Sequence, residues 1–145
     1  MIEAKAFSSC KSLTSVTIGN GVKNIGNYAF YDCSSLTSIA IPNGVTSIGE
    51  GTFMGCSSLT SVVIPDSVTS IGNNAFRACS SLTTVTIPES VTSIGNATFL
   101  ECTSLTSITI GNNVTDIASM TFACNGLTEI TSLNPIPPTI QSDTF

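Results

Sequence analysis

The sequence predicts a solenoid, in which short repeat units stack along one axis, and three observations lead to this fold class. First, residues 56–76 (CSSLTSVVIPDSVTSIGNNAF) and 79–99 (CSSLTTVTIPESVTSIGNATF) differ at only 5 of 21 positions. Second, each unit is rich in β-branched residues, which favour strands. Third, one aromatic position recurs every 23 residues along the chain: Phe7, Phe30, Phe53, Phe76, Phe99, Phe122 and Phe145. Such a period is typical of repeat proteins whose units pack on their neighbours.

A short strand is the first element predicted in each unit. In the segment LTSVVI (59–64), the apolar residues Leu59, Val62 and Ile64 are expected to point to one side of the chain. Because proline has no amide hydrogen for a strand ladder, a proline after the segment is expected to end the strand. A proline or a glycine stands there in five units: Gly19, Pro42, Pro65, Pro88 and Gly111.

The second half of each unit predicts a further short strand and then a single helical turn. The segment VTSIG has the composition of a short strand, and its glycine is expected to adopt a positive φ at the following turn. These glycines are Gly26, Gly49, Gly72 and Gly95. The next segment, NNAFRAC (73–79), has apolar residues at a spacing that favours about one turn of helix.

A single unit holds too few apolar side chains to offset the conformational entropy lost when its 23 residues become ordered. Stacking removes this deficit, since each unit then buries the apolar sides of its neighbours and pairs its strand with theirs. The near-identity of successive units therefore has a physical reason, because each strand requires a similar strand beside it.

The repeated pattern L-x-x-I-x-I-P-x-x-V-x-x-I-G-x-x-A-F-x-x-C resembles the BspA-like (Treponema pallidum type) leucine-rich repeats over essentially the whole chain. This resemblance implies a leucine-rich-repeat right-handed superhelix with one short parallel strand per unit, short turns and little regular helix. We expect one array over residues 1–145, with about six units that are partial at both ends. The last unit, 123–145, is a variant, because FACNGL is one residue shorter than FLECTSL.

The resemblance also implies a location and a kind of partner. Members of the family are typically bacterial surface or secreted proteins, and some are adhesins that bind host matrix proteins. A cell-surface or secreted location and a protein partner, such as a host matrix or cell-surface protein, are therefore expected. The family motif consists of core positions, so it indicates no binding residue. The N-terminal segment MIEAKAFSSC contains no signal peptide pattern.

Composition excludes several classes of function. The net charge is −5, and the only basic residues are Lys5, Lys11, Lys23 and Arg77. Nucleic acid binding requires basic patches, so it is not expected. No apolar run approaches the roughly 20 residues of a membrane-spanning helix, so membrane insertion is not expected either. The sequence has no histidine and its nine carboxylates are dispersed, which favours a non-enzymatic protein without a cofactor.

The six cysteines leave three interpretations open. Five follow the 23-residue period and the sixth lies one residue early: Cys10, Cys33, Cys56, Cys79, Cys102 and Cys124. Stacked neighbours would lie about 5 Å apart, which is within the range for a disulfide. A metal site is the second interpretation, although no C-x-x-C pair is present. The third, which we favour, is a column of buried free thiols that pack as small apolar groups.

Two surfaces are candidates for partner binding. The outward positions of the predicted strands carry short, mostly hydroxylated side chains, which can form hydrogen bonds at a low entropic cost. We call these residues the strand face: Ser15, Thr17, Ser38, Ala40, Ser61, Val63, Thr84, Thr86, Ser107 and Thr109. The alternative is a stripe before each cysteine, which includes residue types enriched at interfaces. Its members are Tyr31, Met54, Arg77 and Leu100.

These patterns predict a non-enzymatic protein-binding or adhesion module that meets its partner through the strand face. The alternative is a structural spacer or stalk, whose repeats hold another domain away from a cell and bind no ligand. Neither end of the array carries a polar cap, so we expect either that the chain is part of a longer array or that it buries an end through self-association.

Overall fold

The computed structural model describes residues 1–145 as a parallel β-solenoid of about five turns, with a spacing of about 23 residues and without any helix. This confirms the predicted solenoid and its second short strands. The strands are β1 Ser15–Val16, β2 Ser38–Ala40, β3 Ser47–Ile48, β4 Ser61–Val63, β5 Ser70–Ile71, β6 Thr84–Ile87, β7 Ser93–Ile94, β8 Ser107–Ile110, β9 Asp116–Ile117, β10 Glu129–Ser132 and β11 Thr139–Ile140.

All strands pair in parallel, and each pairs with a strand from the neighbouring turn. One side of the solenoid is a five-stranded sheet in the order β11-β9-β7-β5-β3. The other side is divided into two three-stranded sheets, β1-β2-β4 and β10-β8-β6. Strands β4 and β6 contact each other, but the nearest backbone hydrogen bond, from the Thr83 amide to the Thr60 carbonyl, is long at 3.4 Å.

The interior is one continuous core of 34 buried residues between the two sides. Its centre is a stack of the seven phenylalanine rings, whose neighbouring centroids lie 5.2 Å apart at Phe7–Phe30 and 6.0 Å apart at Phe99–Phe122. Stacked, offset rings at these distances add a favourable aromatic contribution to the apolar area that they bury. The expected phenylalanine column is therefore confirmed as the spine of the core.

The predicted single helical turns are wrong. Between the second strand and the cysteine, the chain follows successive tight turns in which two residues four positions apart have positive φ, here Asn74 (56°) and Ala78 (58°). The amide of Phe76 donates to the Thr98 carbonyl of the next unit, whereas the neighbouring Arg77 amide donates to Asn74 within the same turn. The amides of this segment thus donate alternately to the next unit and within the same unit, and those that donate outward link this side of each unit to its neighbour.

The expectation for the repeated glycine of VTSIG was also wrong. Positive φ occurs instead at residues 5, 28, 51, 74, 97 and 120 and at residues 9, 32, 55, 78 and 101, and only Gly51 and Gly55 among them are glycines. At Gly72 and Gly95, a Cβ atom would lie 2.8 Å and 2.6 Å from backbone atoms of the preceding unit. Glycine is needed at these positions because the turns approach closely, and backbone conformation is not the reason.

Candidate functional site: two partner-binding surfaces

The strand face lies on the outer surface of the two three-stranded sheets, as the sequence predicted. Its members alternate with buried residues along each strand, since Ser61 and Val63 are exposed on either side of buried Val62. The first eight members are exposed, whereas Ser107 and Thr109 on β8 are half-buried. Backbone pairing is interrupted between β4 and β6, which the sequence pattern did not indicate, but the two strands remain in contact and the strand face continues across them.

The strand face contains a shallow depression of about 400 Å³ over β1, β2 and β4. Side chains of three successive turns line it, and six of them belong to the predicted face: Ser15, Thr17, Ser38, Ala40, Ser61 and Val63. Val63 stands at its edge with 75% of its surface exposed, although it is aliphatic. The structure thus brings these six residues together, while Thr84 and Thr86 lie outside the depression on the neighbouring strand β6.

Two rows of threonine hydroxyl groups elsewhere on the solenoid are used by the fold itself. Thr60 Oγ1 donates to the Thr37 carbonyl (3.3 Å), and Thr106 Oγ1 donates to the Thr83 carbonyl (3.3 Å). A second row runs beside the other sheet, where Thr69 Oγ1 donates to Thr46 at 3.2 Å. We call these two rows the threonine ladders. They explain why threonine replaces charged residues over much of the surface, since its hydroxyl joins successive turns.

The strand-face hydroxyls differ from the ladders in this respect. The side chains of Ser38, Ser61, Thr84 and Thr86 form no hydrogen bond within the chain, although they are exposed next to ladder residues that do. Their donors and acceptors are therefore free to meet another molecule. The same side chains add little conformational entropy cost on binding, because serine and threonine have few rotamers.

The alternative stripe is brought together only in part. Tyr31, Met54 and Arg77 are half-buried and line one hollow of about 540 Å³, whereas Leu100 does not line it. The hollow also contains four residues that sequence reasoning missed. We call it the tyrosine hollow, and its members are Lys5, Ser8, Tyr28, Tyr31, Met54, Asn74 and Arg77.

Hydrogen bonds and packing fix the larger side chains of the tyrosine hollow. The rings of Tyr28 and Tyr31 meet edge to face, with centroids 6.1 Å apart. The Tyr28 hydroxyl donates to the carboxylate of Glu50, which raises the pKa of Tyr28. Arg77 Nη2 donates to Glu101 Oε1 at 3.2 Å. The presence of a second tyrosine three residues before Tyr31 is the signal that could have indicated Tyr28.

The cysteines form the column of free thiols that the third interpretation described. All six are unpaired, and only Cys10 is exposed. Each buried thiol donates a weak hydrogen bond to a phenylalanine carbonyl, as Cys79 does to Phe53 at 3.2 Å. Burial raises the pKa of Cys56 and of Cys102 to about 12, because the thiolate would lose its hydration. Nowhere do three or more cysteines and carboxylates gather into a potential metal site.

The ends of the array expose apolar side chains. At the last turn, Phe145, Ile136 and Leu133 have exposed fractions of 61%, 74% and 52%. The spine ring of Phe145 stacks on one neighbouring ring, that of Phe122, at a centroid distance of 5.7 Å. Self-association through these ends stays a prediction.

Comparison with known proteins agrees with this architecture. The family described as BspA type leucine rich repeat region matches residues 1–63 and 46–145, in six copies, so the chain belongs to this family. No curated protein shows a significant match to the sequence. The structure contains no helix with the length and apolar character needed to cross a membrane.

Three solved structures illustrate the similarity. A leucine rich repeat protein from T. pallidum is 36% identical with a TM-score of 0.89, and the match covers 92% of this chain and 63% of that protein. A leucine-rich repeat protein from Bacteroides ovatus is 34% identical with a TM-score of 0.74, covering 89% and 40% of the two chains. A leucine rich cell surface protein from Faecalibacterium prausnitzii is 36% identical with a TM-score of 0.71, covering 97% and 44%. The chain thus spans about two fifths to three fifths of these relatives.

Proposed function

We propose that this chain is a non-enzymatic protein-binding or adhesion module of a bacterial cell-surface or secreted protein, and that it binds through the strand face. The observation that carries the proposal is the contrast between hydroxyl groups. Those of the threonine ladders are consumed by contacts between turns, while those of Ser38, Ser61 and Thr84 have no partner within the chain.

The shape and composition of the face support a protein partner. The depression of about 400 Å³ is broad and shallow, as expected for contact with another protein surface. Val63 is the one sizeable aliphatic side chain among small polar ones, so its burial would add more apolar area to an interface than any neighbour on the strand face. The location at the cell surface is supported by the family and by the F. prausnitzii relative, which is a cell surface protein.

The spacer function is the second candidate, and the continuity of the core favours it. A single core of 34 residues runs through the array, and the phenylalanine spine is stacked from Phe7 to Phe145. Such a rod could hold another domain at a distance without any ligand of its own. The two functions differ in whether changes on the strand face affect a partner.

Binding of the wild-type chain to a panel of purified extracellular matrix and host-cell surface proteins is the first measurement. The variant Val63→Lys/Thr86→Lys should fold normally, because both side chains are exposed. It should lose binding to the partner found, since two like charges would enter a contact that lacks opposing ones. The matched control is Thr46→Lys/Asn96→Lys, which adds the same charge at exposed positions outside the strand face.

The control pair should keep wild-type affinity. The strand face is the wrong surface if the Val63→Lys/Thr86→Lys variant binds the partner with an affinity within threefold of wild type while Tyr31→Ala/Arg77→Ala destroys binding. If no panel protein binds, or neither pair of changes matters, the spacer function is favoured over the binding function.

A further inference from the structure

The tyrosine hollow concentrates side chains that are rare in the rest of the protein. The sequence has two tyrosines and one arginine, and all three lie in this hollow together with one of the three methionines. Tyrosine and arginine are the residue types that, with tryptophan, dominate binding energy at protein interfaces. The surrounding surface consists mainly of serine, threonine and asparagine, so this clustering is not a consequence of general composition.

The local backbone holds the Tyr28 ring in one position over Gly51. Tyr28 has a positive φ of 58°, which is uncommon for a bulky residue. The residue beneath it in the next unit is Gly51, and a Cβ atom at Gly51 would lie 2.3 Å from Cε1 of the Tyr28 ring. The ring therefore occupies the space that a side chain at residue 51 would take. A ring held in this way loses little entropy when a ligand binds to its free face.

Charge sets the tyrosine hollow apart from the rest of the molecule. The chain has a net charge of −5, yet the charged residues that line the hollow are Lys5 and Arg77, while the carboxylates of Glu50 and Glu101 are bonded to Tyr28 and Arg77. Glu101 holds one terminal nitrogen of Arg77 from the side, at 3.2 Å. The Arg77 Nε atom is buried and has no hydrogen-bond partner. Since a guanidinium group has five N–H donors, Arg77 retains donors for an additional acceptor.

We propose that the tyrosine hollow is a docking site for an acidic segment of a partner protein. One carboxylate of that segment meets Arg77 and another meets Lys5, which lies three units away along the hollow, and an adjoining apolar side chain rests on the rings of Tyr28 and Tyr31. Met54 completes the apolar part of the hollow, and its flexible thioether suits aliphatic side chains of varied shape. This apolar part favours a peptide over an anionic sugar, which has no aliphatic side chain to place there.

This site is independent of the strand face, because the two surfaces share no residue. A protein that binds through both would gain affinity from the second contact without any new interaction at the first. A protein that binds the strand face alone would leave the hollow free for another partner.

Tyrosine fluorescence gives a direct test, because the chain has no tryptophan and both of its tyrosines lie in the hollow. The probe is the capped peptide Gly-Ser-Asp-Leu-Glu-Leu-Asp-Ser-Gly, which contains neither tyrosine nor tryptophan. Its control has Asn and Gln in place of Asp and Glu. We expect the acidic peptide to change the fluorescence saturably with a dissociation constant below about 1 mM, and the neutral peptide to produce no saturable change.

Variants locate the contact. Lys5→Gln and Arg77→Gln should each lower the affinity for the acidic peptide by about tenfold or more, since each change removes a charged hydrogen-bond donor. Lys23→Gln removes the same charge outside the hollow and should leave the affinity within about twofold. Lys5 is exposed, so its replacement keeps the test valid if the Arg77 variant folds poorly. The Val63→Lys/Thr86→Lys pair should bind the peptide like the wild type.

Three results would overturn the proposal. The first is the absence of a saturable change with the acidic peptide. The second is that the neutral peptide binds as tightly as the acidic one, or that Lys23→Gln weakens binding of the acidic peptide as much as Lys5→Gln does. The third is saturable binding of a sulfated disaccharide where the acidic peptide has no effect, which would assign the hollow to an anionic sugar.

Discussion

The phenylalanine spine and the strand face arise from the same repeat, yet they differ in burial and in packing against neighbouring units. An interior residue such as Phe76 is fully buried and stacks on the rings of Phe53 and Phe99 at 5.4 Å and 5.6 Å. An outward residue such as Val63, on β4, leaves 75% of its surface exposed. The difference teaches that the fold uses only part of each 23-residue unit and leaves the outward positions free to vary.

Truncation at the spine should produce the largest difference between the two regions. Phe76→Ala should lower the free energy of unfolding by about 3–5 kcal/mol, because the stacked neighbours cannot fill the cavity. Val63→Ala should change it by less than about 0.5 kcal/mol, since the side chain is exposed. Chemical denaturation of both variants measures the contrast. A loss below about 1 kcal/mol for Phe76→Ala would show that the spine does not support the fold.

Thiol reactivity should separate buried from exposed positions of a single column. In the native protein at pH 8, Cys10 should react rapidly with a thiol reagent, while Cys79 should react slowly. Burial raises the pKa of Cys79 well above its ordinary value, so the reactive thiolate is scarce as well as inaccessible. Under non-reducing denaturing conditions all six thiols should titrate. Two or fewer reactive thiols after denaturation would establish disulfides and contradict the free-thiol column.

The same comparison applies to glycines, with a smaller effect. Gly72→Ala should destabilise the protein by about 1–3 kcal/mol, because the added methyl group would meet backbone atoms of Gly49 and Glu50 that cannot move independently. Gly21→Ala should change the stability by less than about 1 kcal/mol, since no atom lies within 4 Å of the new methyl group. Thermal unfolding of the two variants provides the measurement. Equal losses would mean that close approach between turns is not the reason for the repeated glycine.

Much of the fold could be predicted because the repeat exposes the core directly. Where the same apolar residue recurs every 23 positions, as phenylalanine does, it must pack against the equivalent residue of the neighbouring units. The segment between the second strand and the cysteine was harder to predict from the sequence. The spacing of Ala75, Phe76 and Cys79 fits a helical turn and the observed succession of tight turns equally well. The two conformations differ in the hydrogen-bond partners of the amides, which alternate between the same unit and the next one. These partners become known only when the units are stacked in three dimensions.

The candidate surfaces were predicted unevenly for a related reason. Strand alternation was sufficient to place Ser61 and Val63 on the outside, because side chains on a strand point to opposite sides in turn. It did not indicate that the sheet divides between β4 and β6. Tyr28 was missed because its role depends on the space left above Gly51, a residue 23 positions away that has no side chain to suggest a contact.

The central claim is that the fold uses the ladder hydroxyls and leaves those of the strand face free. Two matched triple variants test it by replacing only threonine with valine. The ladder variant Thr37→Val/Thr60→Val/Thr106→Val removes three hydroxyls that donate to neighbouring turns. The face variant Thr17→Val/Thr86→Val/Thr109→Val removes three that form no bond within the chain.

Chemical denaturation of the two triple variants should give clearly different results. The ladder variant should lose about 2 kcal/mol, the sum of three modest hydrogen bonds. The face variant should remain within about 0.5 kcal/mol of the wild type, because valine is at least as favourable as threonine on a strand. A face variant that loses as much stability as the ladder variant would show that the fold consumes the strand face, and would contradict its assignment as a surface left free for a partner.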